Sequence, residues 1–141
     1  IGKDKVGIRL SPFGVFNDMP LYGTMESDYT YIAQQLNARE LAYIHLVDHS
    51  SMGAPPVPDS MKATFRSIFK GALILSGGYD AARAERDLAA GRGDLIAVGR
   101  PFLANPDLVA RWKTGAALNA PDMSTFYTPG PKGYIDYPEM G

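Results

Sequence analysis

Four short apolar runs alternate with helical patterns along most of the chain. Residues 6–10, 41–47, 72–75 and 95–98 are each largely apolar, the composition of strands buried in a parallel sheet. The stretches between them change period. Residues 27–39 carry Tyr31, Ile32, Gln35 and Leu36 at helical spacing, and residues 59–70 set Met61, Phe65, Ile68 and Phe69 on one face behind Pro58 and Asp59. Residues 80–90 form an alanine-rich amphipathic pattern, capped by Asp80 and stopped by Gly91. Residues 105–114 carry Leu108, Val109 and Trp112 between an Asn105-Pro106-Asp107 start and Gly115. The order βαβαβαβα predicts a parallel sheet with right-handed crossovers.

Two connections are long for βα loops. Residues 11–24 follow the first strand and residues 48–58 the second, both at strand C-terminal ends, where barrel enzymes place their sites. The last two strands run directly into glycines: Ser76-Gly77-Gly78-Tyr79-Asp80, and Gly99-Arg100-Pro101-Phe102. Two successive strand–glycine–helix units expose backbone N–H groups at strand ends and predict a phosphate pocket, which (β/α) barrels place after their last two strands. The pattern therefore predicts the phosphate-binding end of a barrel. Four βα units would leave two sheet edges and an inner face uncovered, so association with a further segment is expected. Residues 1–118 are read as these four units. Residues 119–141, rich in Gly, Pro and aromatics, are read as an extension packed on the surface.

Composition narrows the function classes. The chain has 141 residues, enough for one domain with its own core. A formal net charge of −1 argues against nucleic acid, which calls for a basic face. No apolar run approaches the roughly 20 residues of a membrane span, and no secretory signal is legible. The absence of cysteine removes disulfides, thiolate metal sites and thiol catalysis, and allows a cytoplasmic location. The first residue is Ile, already close to a strand, which reads as a fragment, a processed chain or a trimmed piece.

Few side chains are candidates for chemistry. Arg9, near the end of an otherwise apolar strand, points either into a barrel mouth or into an outer helix layer. If buried it requires an anionic or carbonyl-rich partner, in a cofactor contact or a structural ion pair. Gly77 and Gly78 permit close backbone approach to a ligand or simply a tight turn. Gly99 and Arg100 repeat that geometry and add a fixed cation. His45, alone in an apolar strand, reads as a satisfied core histidine, and His49 on the next loop lacks a catalytic partner. No cluster has metal-ligand spacing, and Ser50, Ser51 and Ser76 lack a His–Asp arrangement. Phe126 and Tyr127 are adjacent aromatics that cover a planar ring or pack on the surface.

The runs Val6-Gly7-Ile8-Arg9-Leu10-Ser11-Pro12, Leu41-Ala42-Tyr43-Ile44-His45-Leu46-Val47, Ser76-Gly77-Gly78-Tyr79 and Gly99-Arg100-Pro101-Phe102 with Asn105-Pro106-Asp107-Leu108 resemble the old yellow enzyme family. So does the ending Thr125-Phe126-Tyr127 with Gly133-Tyr134-Ile135-Asp136-Tyr137-Pro138. These are FMN-dependent, NADPH- or NADH-driven ene-reductases on a (β/α)8 TIM barrel. The resemblance implies the C-terminal half of the barrel, about strands five to eight, completed by another chain or a missing segment. It implies that Arg9 contacts the flavin near its electron-accepting edge, where positive charge stabilises the anionic reduced ring. It further implies that Gly77, Gly78, Gly99 and Arg100 cradle the FMN phosphate, with Ser76 adding a contact and Phe126 and Tyr127 beside the flavin. The family's substrate-binding His pair (or His/Asn) and proton-donor Tyr belong to its N-terminal half, so no catalytic residue is expected here. His45 and His49 do not occupy that motif. The implied substrate is an activated alkene: an enone, maleimide or nitroalkene. Two alternatives stay open: a non-catalytic associating subunit or remnant, and another barrel enzyme holding a phosphorylated substrate at the same end.

Overall fold

The computed structural model describes residues 1–141 and divides them into two compact units, Ile1–Ala97 and Val98–Gly141. The first unit holds a four-stranded sheet in the order β1-β2-β3-β4: β1 (Gly7–Leu10), β2 (Tyr43–Val47), β3 (Ala72–Ser76) and β4 (Leu95–Ala97). Every neighbouring pair is parallel, with Arg9 opposite His45, His45 opposite Ile74 and Ile74 opposite Leu95. Between the strands lie α1 (Met25–Ala38), α2 (Asp59–Ile68) and α3 (Ala81–Ala89).

Alternation along the strands sends the two sets of side chains to different environments. Ile44, Leu46, Leu73 and Leu75 are fully buried and form the core with Ala33 of α1, Met61 and Phe65 of α2, and Phe69. The other face carries Gly7, Arg9, Tyr43, His45, Ile74, Ser76 and Leu95, and on it Tyr43 is 41% and Leu95 55% exposed. The Tyr43 ring lies over Gly7, where any Cβ would overlap it. One face of the sheet is thus packed and the other open.

Local chemistry sets the element ends. Asp80 caps α3 as expected, its side chain accepting from the Arg83 N–H at 2.7 Å. The second helix stops at Ile68, two residues early, because Phe69 turns extended. Arg66 then donates to the Phe69 carbonyl at 2.6 Å while Asn37 accepts from the Lys70 N–H at 3.0 Å.

In the second unit the helix expected over 105–114 begins three residues later, as α5 (Leu108–Thr114), and a short further helix, α4 (Arg100–Ala104), precedes it. Asn105 ends the first helix instead of capping the second. It is fully buried, with its amide donating to the Pro101 carbonyl at 2.8 Å and its oxygen accepting from the Asn119 N–H at 2.7 Å. Asp107 does not cap α5 with its side chain, because its carboxylate is taken by Arg111 at 2.7 Å and the Met140 N–H at 2.7 Å. The buried Arg111 also donates to the carbonyls of Ala117 (2.6 Å) and Pro138 (2.9 Å). The terminal stretch is therefore tied to α5 by directional bonds.

Candidate functional site

The open face of the first unit carries the candidate chemistry at the C-terminal ends of its strands. Arg9 is exposed there and takes part in no salt bridge within the chain. Within the first unit Arg9 is exposed, so no partner from its own chain is needed there. His45 is not a core residue. It lies half-buried on the same face, and its Nε2 is 2.9 Å from Ser76 Oγ. A polar partner satisfies it, as the sequence reading held, but at a different address.

Arg9 acts electrostatically on both histidines. Burial chiefly, and the Arg9 charge in addition, hold the His45 pKa below its ordinary value. The same two causes lower His49, with Asp48 opposing them. His49 packs edge-on against Phe16 of the long first connection, ring centroids 4.9 Å apart. Nothing in the sequence announces this grouping, since it depends on the β1–β2 register and on the path of the 11–24 loop.

Gly77 and Gly78 have φ of +124° and +63°, conformations that side chains rarely adopt. A Cβ on Gly77 would overlap the Asp48 carbonyl, and one on Gly78 would sit 3.0 Å from Ser51 Cβ. The close approach the glycines permit on that side is to the Asp48–Ser51 backbone of their own chain. Asp48 is itself buried; Ser50 N–H donates to it at 2.9 Å and Lys62 pairs with it at 3.4 Å. Their own N–H groups donate to no acceptor of the chain, and Gly78 is solvent-exposed.

In the second unit Gly99 precedes α4, and a Cβ there would meet open space. Arg100 opens the helix, exposed, with Pro101 following. Phe126 and Tyr127 form a T-shaped pair with centroids 6.4 Å apart, Tyr127 being 98% exposed. Ser76 and the glycine turn belong to the first unit, and Gly99, Arg100, Phe126 and Tyr127 to the second. A cleft of about 310 Å³ between α2 and the end of α3 also contains cations. Its Lys62, Arg66 and Arg92 are each paired with an aspartate, so it presents no free charge to a ligand.

Comparisons with known proteins agree on one family. The profile of the NADH:flavin oxidoreductase / NADH oxidase family matches residues 1–119. A 12-oxophytodienoate reductase-like protein of Solanum lycopersicum is 41% identical over 140 residues, which is 98% of this chain and 37% of that protein. A protein of Leishmania infantum, named as a probable flavin mononucleotide-dependent alkene reductase, is 36% identical over 99% of this chain and 37% of its own length. The solved structure of morphinone reductase superposes with a TM-score of 0.91 at 43% identity, covering 99% of this chain and 37% of that one. The chain thus spans little more than a third of the length of these relatives.

Proposed function

This chain belongs to the NADH:flavin oxidoreductase / NADH oxidase family, and we propose that it is the FMN-binding portion of an ene-reductase of old yellow enzyme type. It supplies the C-terminal half, about strands five to eight, of a (β/α)8 barrel whose remaining strands come from a complementary segment. The open sheet face carries this reading: an inward face of a barrel is left bare only where strands of another segment close over it.

The residues present fit a flavin nucleotide. Arg9 is an unpaired cation on the open face at β1, and the Gly77 and Gly78 amides at the end of β3, two strands along, are unspent donors. When bound, FMN supplies hydride transfer from NADPH or NADH to the activated C=C bond of an enone, maleimide or nitroalkene. Arg9 sets positive charge against the electron-accepting edge of the ring, where preorganised charge is most effective. Ser76, fixed by His45, offers a hydroxyl to the same ring. Gly77, Gly78, Gly99 and Arg100 hold the phosphate, and Phe126 and Tyr127 shield the flavin from water. Residues 119–141 serve as the extension that brings this aromatic pair to the flavin. Polarisation of the alkene and delivery of the proton fall to the complementary segment.

Native mass spectrometry of the purified protein tests the reading. The expected result is an assembly of about 250 residues or more, the size of a whole barrel, carrying the added mass of one FMN. A barrel-sized assembly that takes up no FMN overturns the proposal.

A further inference from the structure

Arg83 is not part of any glycine or strand motif, yet it touches three groups around the Gly77–Gly78 turn. Its NH1 donates to the Gly77 carbonyl at 2.8 Å. Its guanidinium lies over the Tyr79 ring, 4.1 Å from the centroid, and its Nε is 4.0 Å from the Asp87 carboxylate. Asp87 is buried and accepts from the Tyr79 hydroxyl at 2.9 Å and from Arg92 at 2.9 Å. Ring and carboxylate thus hold the Arg83 fork in one orientation, within the first turn of α3.

The consequence follows from peptide geometry. The Gly77 carbonyl and the Gly78 N–H belong to one planar trans unit and point in opposite directions. A charge-assisted bond that holds the carbonyl toward Arg83 therefore aims the Gly78 N–H to the far side. Two consecutive glycines have no Cβ to oppose rotation of that unit. Rotated by half a turn, it would present a carbonyl oxygen where the N–H had been and repel an anion. On the other flank the Asp48 backbone closes against Gly77.

We propose that Arg83 is a positioning residue that locks the Gly77–Gly78 peptide with its N–H turned toward the flavin phosphate. This rests on the assignment of the glycine turn to the FMN phosphate made above. Arg83 acts through the peptide and does not itself reach the ligand.

Riboflavin, which shares the ring and lacks the phosphate, provides the discriminating probe. The apo form of the full protein, complementary segment included, is titrated with FMN and with riboflavin by quenching of flavin fluorescence. Arg83→Ala is expected to weaken FMN binding about tenfold, the loss of one well-aimed phosphate donor, while riboflavin binding changes less than about twofold. Arg83→Lys, which keeps a charged donor for the carbonyl, is expected to regain most of the preference for FMN. Equal weakening of both flavins would mean a general packing role and overturn the proposal, as would unchanged FMN binding in Arg83→Ala. A parent protein that does not prefer FMN over riboflavin would instead remove the phosphate assignment on which the proposal stands.

Discussion

His45 Nε2 and Ser76 Oγ lie 2.9 Å apart on the open face, joining β2 to β3 diagonally, Ser76 being two residues beyond the Ile74 that His45 faces in register. The contact ties a titratable ring to the strand that feeds the glycine turn. Burial and the Arg9 charge both disfavour the protonated form of that ring in the fold.

A pH dependence of stability follows. The unfolded chain binds the His45 proton more tightly than the fold does. Stability from this group is therefore complete above the ordinary value of 6.5 and is lost as pH falls through it toward the lower folded value. Urea midpoints should drop between about pH 7.5 and about pH 5, and His45→Asn should flatten the drop without abolishing it. The remainder belongs to His49, shifted in the same direction by burial and Arg9. An unchanged slope in His45→Asn would contradict the assignment.

Arg9→Gln removes the shared cation and should raise the pKa of both histidines, read from their ring proton resonances across a pH titration. In the assembled protein the same variant should slow flavin reduction more than it weakens FMN retention. Equal losses of both would sink the electrostatic role proposed for Arg9.

The glycines separate fold from function. Gly77→Ala puts a Cβ into the Asp48 carbonyl at a φ of +124° and should cost about 3 kcal/mol or more, seen in thermal or chemical unfolding. Gly99→Ala meets nothing within 4 Å and should leave stability within about 0.5 kcal/mol. Arg100→Ala, at an exposed helix start, should likewise spare the fold and lower FMN occupancy. Full FMN occupancy in Arg100→Ala would count against the proposed cradle.

Arg111→Met should loosen the chain terminus. It removes the donors to Ala117 and Pro138 and frees the Asp107 carboxylate, while the methionine fills part of the arginine's space. Limited proteolysis should then cut within 119–141 faster than in the parent, with α1 to α3 still protected. Identical cleavage kinetics would show that apolar packing, not Arg111, holds the tail.

The sequence by itself determined the repeating strand–helix order, the four parallel strands, the Asp80 cap and the family. These rest on local period, on capping chemistry and on motifs contiguous in the chain, none of which needs a partner far away. The Gly77–Gly78 turn was legible for the same reason. Tertiary structure decided which face of the sheet stays open, and so set Arg9 on that face and turned His45 from a core residue into a partner of Ser76. It also moved the start of the 105–114 helix to Leu108, because Asn119 and Met140, distant in sequence, together with Arg111 one turn on, claim the groups of Asn105 and Asp107 that a local reading assigns to a cap. Arg83 belongs to the same class: its hold on Gly77 depends on α3 folding back over the turn, where Tyr79 and Asp87 fix the guanidinium. Strand alternation says that two faces differ, but only the helices that cover one of them say which is which.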